Sequence, residues 1–449
     1  MSDKLFGTDG VRGVANSELT PTLAMALGVA AAKVLGRSHT PTFVIGRDTR
    51  ISGPLLEAAL SAGLCSQGAH VFSVGVIPTP GVARIARTGH YDAGVVISAS
   101  HNPYHDNGIK FFGGDGYKLM DGLEAESEAL VPRVHDLAYP SHASVGTIQS
   151  EPDLAEYYAT HLIETMDGVD LSKMRVVVDG AHGANFEMAP KVLKKLGAKV
   201  TAINCAPNGT NINSQCGSLH PEEMLSRTRS ERADAGIAFD GDADRVILSD
   251  ELGRVVDGDR MMMMIGCHFA SQGKLTNNTV VGTIMSNLGL EIALRERGLT
   301  LVRAAVGDRY VSEILRRDGL SLGGEKSGHI IFNDLTTTGD GLLTALQVLK
   351  VVQETGRPLS ELSDQMSEYP QILLSVRVSD RTAWQNDSKI QAAIKAGEER
   401  LEGRGRLNVR ASGTEKLIRI MAEGPEQTEI EEIGAEIKAV IQKKYGVST

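Results

Sequence analysis

Cysteine is scarce in this 449-residue chain, and its four copies, Cys65, Cys205, Cys216 and Cys267, are scattered with no Cys-x-x-Cys pair. Neither a disulfide framework nor a cysteine zinc site is indicated, and the thiols are read as reduced and structural. Long apolar runs are also missing, and the opening MSDKLFGTDG has no apolar core of the signal-peptide kind, so a cytoplasmic protein is expected. No low-complexity block or run of like charge is present, which argues against long disorder. A surplus of positive charge is lacking too. The 46 Lys and Arg stand against 56 Asp and Glu, a net charge of −10, which argues against nucleic acid or an anionic membrane as partner. Any anionic ligand must then be met by a local cluster of cations.

What is present is an alternation of short β-rich runs with helical segments, the pattern of an α/β protein. Thr20-Pro21 reads as an N-cap and first helical turn, with the helix running to about Gly36. FVIGRD (43–48), a helix over 54–67, HVFSVG (70–75), a short helix and AGVVISAS (93–100) follow. A second cycle runs from MRVVVDG (174–180) through a helix ending near Gly197 to AGIAFDGDADRVILSD (235–250). A third runs from a helix at Met261 through VVGTIMSN (280–287) and LVRAAVGD (301–308) to GGEKSGHIIF (323–332). The three cycles match in order and size, but their sequences are too different to establish a repeat. After a helix over 339–355, the polar stretch GRPLSELSDQMSEYP reads as a linker to a small α+β domain that closes on an amphipathic helix. Further breaks are expected in PSHASVGTIQSEP (140–152) and DELGRVVDG (250–258), giving domains 1–152, 153–254, 255–368 and 369–449.

Four motifs carry chemistry. Asp240-Gly-Asp242-Ala-Asp244-Arg245 places three carboxylates at alternate positions just after a strand-like run. Clustered carboxylates repel unless protons or a hard cation compensate, so a divalent metal is the economical reading and a solvated acidic turn its alternative. A calcium EF-hand is rejected, because Arg245 stands where that loop needs glycine and Val246-Ile247-Leu248 reads as strand. Ser98-Ala-Ser100-His101-Asn102-Pro103 follows an apolar run at a strand end, where sites collect in α/β folds. Alone it could be a simple turn. Arg410-Ala-Ser412-Gly413-Thr414-Glu415, with Arg419 beyond, offers guanidinium, hydroxyl and backbone donors to a phosphate. Gly323-Gly-Glu325-Lys326-Ser327-Gly328-His329 sets Glu325 and Ser327 two apart, able to face a polyhydroxylated ligand.

In this order the four motifs resemble those of the α-D-phosphohexomutase superfamily, in which they are the metal, phosphoserine, phosphate and sugar loops respectively. The resemblance spans nearly the whole chain. Within it, FGTDGVRG (6–13), SASHNP and VGDRYV (306–311) are similar to the bacterial branch that acts on glucosamine phosphates, from which Lys326 departs because glutamine is commoner there. The resemblance implies a heart-shaped, four-domain architecture: three similar α/β domains with mixed sheets and a smaller α+β domain at the C-terminus. It implies an isomerase that interconverts glucosamine 6-phosphate and glucosamine 1-phosphate through a phosphoserine and a 1,6-bisphosphate, on the route to UDP-N-acetylglucosamine. Phospho-Ser100 would be donor and acceptor, and one Mg²⁺ would sit on Asp240, Asp242, Asp244 and the Ser100 phosphate. Lys110, His101 and His329 are the candidates for proton transfer, and Arg12 and Arg245 for stabilising the moving phosphate. Glu325 and Ser327 would bind sugar hydroxyls, Arg309 a substrate phosphate, and Arg410, Ser412, Gly413, Thr414 and Arg419 the phosphate that is not transferring. Glucosamine 1,6-bisphosphate or an equivalent would prime the serine. The phosphosugar is the expected partner, with no nucleic acid or membrane, and a homodimer is left open.

Overall fold

A computed structural model describes residues 5–7, 9–36, 39–380, 382–412 and 416–447. The first mixed sheet contains β1 (Val11–Val14), β2 (Thr42–Arg47), β3 (His70–Val76), β4 (Ala93–Ile97), β5 (Asp106–Gly113) and β6 (Ile148–Ser150), in the order β1-β5-β4-β2-β3-β6. Its helices are α1 (Pro21–Leu35), α2 (Gly53–Ser66), α3 (Thr79–Thr88) and α4 (Asp121–Leu130). The Thr20 hydroxyl accepts from the Leu23 N–H at 3.2 Å to cap α1, and Gly36 ends it as the sequence predicts. β4 is Ala-Gly-Val-Val-Ile, buried along its whole length. Its side chains alternate between two cores, Val95 and Ile97 joining Phe43, Ile45, Leu56 and Leu60, and Val96 joining Val44, Val82 and Ile85.

The second sheet orders β7 (Arg175–Asp179), β8 (Lys199–Ile203), β9 (Ala235–Phe239), β10 (Val246–Asp250) and β11 (Val255–Val256) as β11-β10-β9-β7-β8, with α5 (Leu154–Glu164), α6 (Met188–Lys195) and α7 (Glu222–Ser230). The third orders β12 (Thr279–Thr283), β13 (Thr300–Ala304), β14 (Leu322–Gly324) and β15 (Ile330–Phe332) as β13-β12-β14-β15. Its segment also holds α8 (Gly258–Ser271), α9 (Leu288–Arg295), α10 (Asp308–Asp318), α11 (Gly341–Thr355) and α12 (Leu359–Ser363). The cycles that differ in sequence therefore share one topology. β5-β4-β2-β3, β10-β9-β7-β8 and β15-β14-β12-β13 are the same order. In each, an apolar strand lies parallel to the first strand of its cycle, carries a chemistry-bearing loop at its end, and is followed by an antiparallel return strand. The arrangement is one of strand order and direction, so the sequences can diverge while the position of the loop persists.

The chain divides into two compact units, 1–285 with 302–364 and 286–301 with 365–449. The second holds an antiparallel sheet of β16 (Gln371–Arg377), β17 (Arg406–Ala411) and β18 (Leu417–Glu423) in the order β16-β18-β17, with α13 (Ser388–Leu401) and α14 (Gln427–Tyr445). Val376, Ile390, Ile418, Ile420, Ile433 and Ile437 form its core.

Three expected breaks contain structure. In PSHASVGTIQSEP, β6 pairs parallel with β3, so the segment completes the first sheet. β11 pairs with β10 through Leu248 and Val256, past residue 254. The polar stretch after α11 contains α12, whose Leu359 and Leu362 are buried. The strand expected over 93–100 stops at Ile97, because Ser100 takes φ +52° and turns the chain out of the sheet. Among the described residues no helix is long and apolar enough to cross a membrane.

Candidate active site

Two of the repeated loops meet through a hydrogen bond between residues 140 positions apart: the Ser100 hydroxyl, beyond β4, donates to Asp240 Oδ2, beyond β9, at 2.6 Å. Gly241 makes the approach possible, because a Cβ there would lie 2.4 Å from the Ser100 carbonyl oxygen. Asp240, Asp242 and Asp244 are all buried, and each offers an oxygen within 4.8 Å of the others. Burial and the two neighbouring carboxylates push the Asp240 carboxyl well above its usual range, and burial with Asp242 raises that of Asp244. Asp242 goes the other way. Burial opposes its ionisation, but the Lys110 ammonium at 2.8 Å and the Thr79 hydroxyl at 2.8 Å more than offset this. Asp242 Oδ1 and Asp244 Oδ1 are buried with no hydrogen bond among the described residues. Crowded carboxylates with unused inward oxygens, next to a serine hydroxyl, fit a hard divalent cation such as Mg²⁺.

Lys110 lies on β5 opposite Val96 of β4, only 3% exposed. Burial disfavours its charge, but Asp242 and Asp9, the latter 3.1 Å away, overcome this and keep it cationic. His101 accepts from Arg245 Nη1 at its Nδ1 at 2.9 Å, which puts any proton on Nε2. Burial, then the charges of Arg245 and Arg12, lower its pKa to about 4, so it is neutral at neutral pH. His329 is buried, with Nε2 at 3.9 Å from Asp244 and 3.8 Å from Asp308. Arg12, on β1, pairs with Asp9.

The third loop follows β14. The Glu325 N–H donates to the His329 carbonyl at 3.0 Å, and Glu325 Oε1 accepts from the Gly307 N–H at 3.0 Å. The Val246 N–H donates to the Gly328 carbonyl at 3.2 Å, fastening this loop to β10. Ser327 is exposed on the same turn. Arg309 pairs with Asp121 and with Glu313 at 3.1 Å, and with Lys118, Asp308 and His329 it lines a cavity of about 170 Å³.

In the second compact unit, Arg410 and Arg419 are direct cross-strand partners on β17 and β18. Burial and the Arg419 charge lower the pKa of Arg410, a like-charge pair that an anion would relieve. Ser412 is buried and its N–H donates to the Leu417 carbonyl at 2.8 Å. Gly413 and Thr414 lie outside the described residues.

Several site residues escaped the reading of the sequence. Asp9 is held ionised, against its burial, by Lys110, Lys118 and Arg12, and Lys118 bridges from Asp9 at 2.8 Å to Asp308 at 2.6 Å. Asp9 and Asp308 stand inside the motifs FGTDGVRG and VGDRYV, whose sequence marks Arg12 and Arg309 as the phosphate-facing cations but gives no sign of a carboxylate role. Lys118 and Thr79 had no local signal. Ser98, the other hydroxyl in SASHNP, is fully buried and donates to Asp48 at 2.6 Å.

Four family models match in sequence along the chain: phosphoglucomutase/phosphomannomutase α/β/α domains I (residues 3–135), II (156–253) and III (257–369), and the C-terminal domain (373–440). A phosphoglucosamine mutase of Pelotomaculum thermopropionicum is 53% identical over 441 residues, covering 98% of this chain and 99% of the relative. One from Symbiobacterium thermophilum is 52% identical over 444 residues, with the same coverage. Among solved structures, a phosphoglucomutase/phosphomannomutase family protein of Burkholderia thailandensis superposes with TM-score 0.81 at 22% identity, covering 99% of this chain and 98% of that one. N-acetylphosphoglucosamine mutase of Aspergillus fumigatus, in complex with GlcNAc-6P and magnesium, gives TM-score 0.70 at 18% identity over 98% and 95% of the two chains. With matching domains in the family order and relatives half identical from end to end, the chain belongs to the phosphoglucomutase/phosphomannomutase family of phosphohexomutases.

Proposed function

We propose that this chain is a phosphoglucosamine mutase, an isomerase that moves a phosphoryl group between O6 and O1 of glucosamine phosphate by way of Ser100. The observation that carries the reading is the Ser100 hydroxyl 2.6 Å from the buried Asp240–Asp242–Asp244 cluster, in a chain about half identical to enzymes of that name. Asp240, Asp242 and Asp244 would hold Mg²⁺ together with a phosphoserine oxygen. The cation supplies charge neutralisation at the transferring phosphoryl group.

Ser100 gives its phosphoryl group to the free sugar hydroxyl, whose proton passes to Ser100 Oγ as the Oγ–P bond breaks, and takes the other phosphate back from the resulting 1,6-bisphosphate, which also primes the unphosphorylated enzyme. Lys110, held as an ammonium, donates a hydrogen bond to the sugar oxygen, and with His101 and His329 it serves the proton transfer. Arg12 and Arg245 stabilise phosphate charge. Glu325 and Ser327 hold sugar hydroxyls, Arg309 contacts a substrate phosphate, and Arg410, Ser412, Gly413, Thr414 and Arg419 grip the phosphate at rest. One phosphate grip and one hydroxyl clamp serve both orientations of the sugar. The domains divide near 152, 254 and 368, and the enzyme works in the cytoplasm.

The test is incubation with glucosamine 1,6-bisphosphate and phosphopeptide mapping, beside coupled assays on glucosamine, glucose and mannose phosphates. Phosphate on Ser100, preference for the glucosamine substrate and loss of turnover in Ser100→Ala are expected. Phosphate on Ser98, or near-normal turnover in Ser100→Ala, would falsify the assignment.

A further inference from the structure

Ser100 has φ +52°, a left-handed backbone that costs a non-glycine residue roughly 1 kcal/mol or more and persists only where the surroundings impose it. Both peptide groups of this residue are held. Its N–H donates to Ser98 Oγ at 2.9 Å, and that hydroxyl in turn donates to Asp48 Oδ2 at 2.6 Å. Its carbonyl accepts from Arg50 Nη2 at 2.9 Å and from Asn213 Nδ2 at 2.9 Å.

Arg50 is 0% exposed and is among the largest fully buried side chains of the protein. Its guanidinium has five N–H donors, and each has an acceptor. Nε donates to Asp48 Oδ2 at 2.7 Å, Nη2 to the Ser100 and Asn102 carbonyls at 2.9 and 2.8 Å, and Nη1 to the Pro103 carbonyl and, at 3.0 Å, the Asp106 carbonyl. Four of those acceptors are main-chain oxygens of residues 100–106, three in the loop that bears Ser100 and the fourth on Asp106, which opens β5. Asn213 reaches from the second α/β segment and repeats two of the contacts, donating to the Asn102 carbonyl at 3.0 Å as well. An arginine buried to balance a carboxylate has no need of four carbonyls from one short stretch of chain. The Asp48 charge answers that of Arg50, and the remaining donors are spent on loop shape.

We propose that Arg50 and Asn213 are positioning residues for phosphoryl transfer, a clamp from two domains that fixes the strained Ser100 backbone and so aims its hydroxyl. This rests on the mutase reading. When the serine is primed by a 1,6-bisphosphate, the Oγ–P bond forms, the sugar O–P bond breaks, and the hydroxyl proton passes to the sugar oxygen. A displacement of about 1 Å in such a nucleophile costs on the order of 100-fold in rate.

The experiment is single-turnover phosphorylation of Ser100 by glucosamine 1,6-bisphosphate, followed by intact mass, together with steady-state kinetics and melting. Asn213 itself has φ +58°, so Asn213→Gly keeps the backbone conformation, adds no charge and removes only the amide. Its phosphorylation rate and kcat should fall about 10- to 100-fold, with KM within about 3-fold and Tm within a few degrees, a pattern that lost stability would not produce. Arg50→Lys, which has no planar fork, should fall further, by roughly 1,000-fold; if it does not fold, Asn213→Gly carries the test alone. Phosphorylation of Asn213→Gly within 2-fold of wild type, or a rise in KM at unchanged kcat, overturns the clamp while leaving the mutase reading intact. Failure of the wild-type protein to take phosphate at Ser100 overturns both.

Discussion

Replacing Lys110 with methionine removes the cation from a buried cluster of carboxylates, and the size of the effect follows from the geometry. Lys110 Nζ lies 2.8 Å from Asp242 and 3.1 Å from Asp9, and it is 3% exposed. At an effective dielectric of about 20, each contact is worth roughly 5–6 kcal/mol of attraction, against which stands the desolvation of all three ions. Removing one partner of a buried pair costs about 3–5 kcal/mol, since the remaining charge is left uncompensated. The loss falls unevenly. Asp9 keeps Arg12 and Lys118, whereas the hydrogen bond left to the Asp242 carboxylate among the described residues is that of Thr79. Lys110→Met should therefore lower the unfolding free energy by about 3–5 kcal/mol, and adding Asp242→Asn, which deletes the stranded charge, should recover at least half of it. Urea unfolding followed by circular dichroism, with chelator present, measures both. A loss under about 1 kcal/mol in the single variant, or a double variant no more stable than the single, refutes the reasoning.

A pH effect is expected at Asp340, fully buried at the N-cap of α11, where burial raises its carboxyl to about 6 against the hydrogen bonds from Leu343 N–H and Tyr158. Because the folded pKa lies above the unfolded one of about 3.9, the folded state holds more protons between them, and stability falls by roughly 3 kcal/mol as pH rises from about 4 to about 6. Asp340→Asn should remove that slope and keep the cap, and parallel urea midpoints for the two proteins across this range would contradict it. Mg²⁺ should raise the melting temperature of wild type, by an amount equivalent to about 2.7 kcal/mol at 100 times Kd, and should fail to do so in Asp240→Asn or Asp244→Asn. Chelation should stop turnover without loss of far-ultraviolet circular dichroism, and full turnover by a verified metal-free sample would show the metal reading to be wrong.

The amino-acid sequence by itself determined the fold class, the family and the identity of the chemistry-bearing loops. Its informative signals are local: apolar strand-like runs such as AGVVI and AGIAF, each followed by a short polar motif, and carboxylates at alternate positions in DGDADR. Such features depend on neighbours a few residues apart and survive in one dimension. The expected linker holds α12 and the two expected breaks hold β6 and β11, because edge strands and short helices draw their stability from tertiary partners, which the local sequence does not reveal. The repeat was likewise hidden, since three sheets can share a strand order without sharing residues.

Only the tertiary structure decided that Ser100, the serine the resemblance names, donates to Asp240 while Ser98 donates to Asp48, and that Asp9, not only Arg12, belongs beside Lys110. The same holds for Arg50. In sequence it is one arginine in GRDTR, and its five acceptors come into view only when β2 and β4 lie side by side and the loop beyond β4 folds over its guanidinium. The physical reason is that burial and charge pairing are properties of a residue's surroundings. Ser100 and Asp240 are 140 positions apart, Lys110 and Asp242 are 132 apart, and no local pattern records contacts that exist only once the sheets have formed and excluded water.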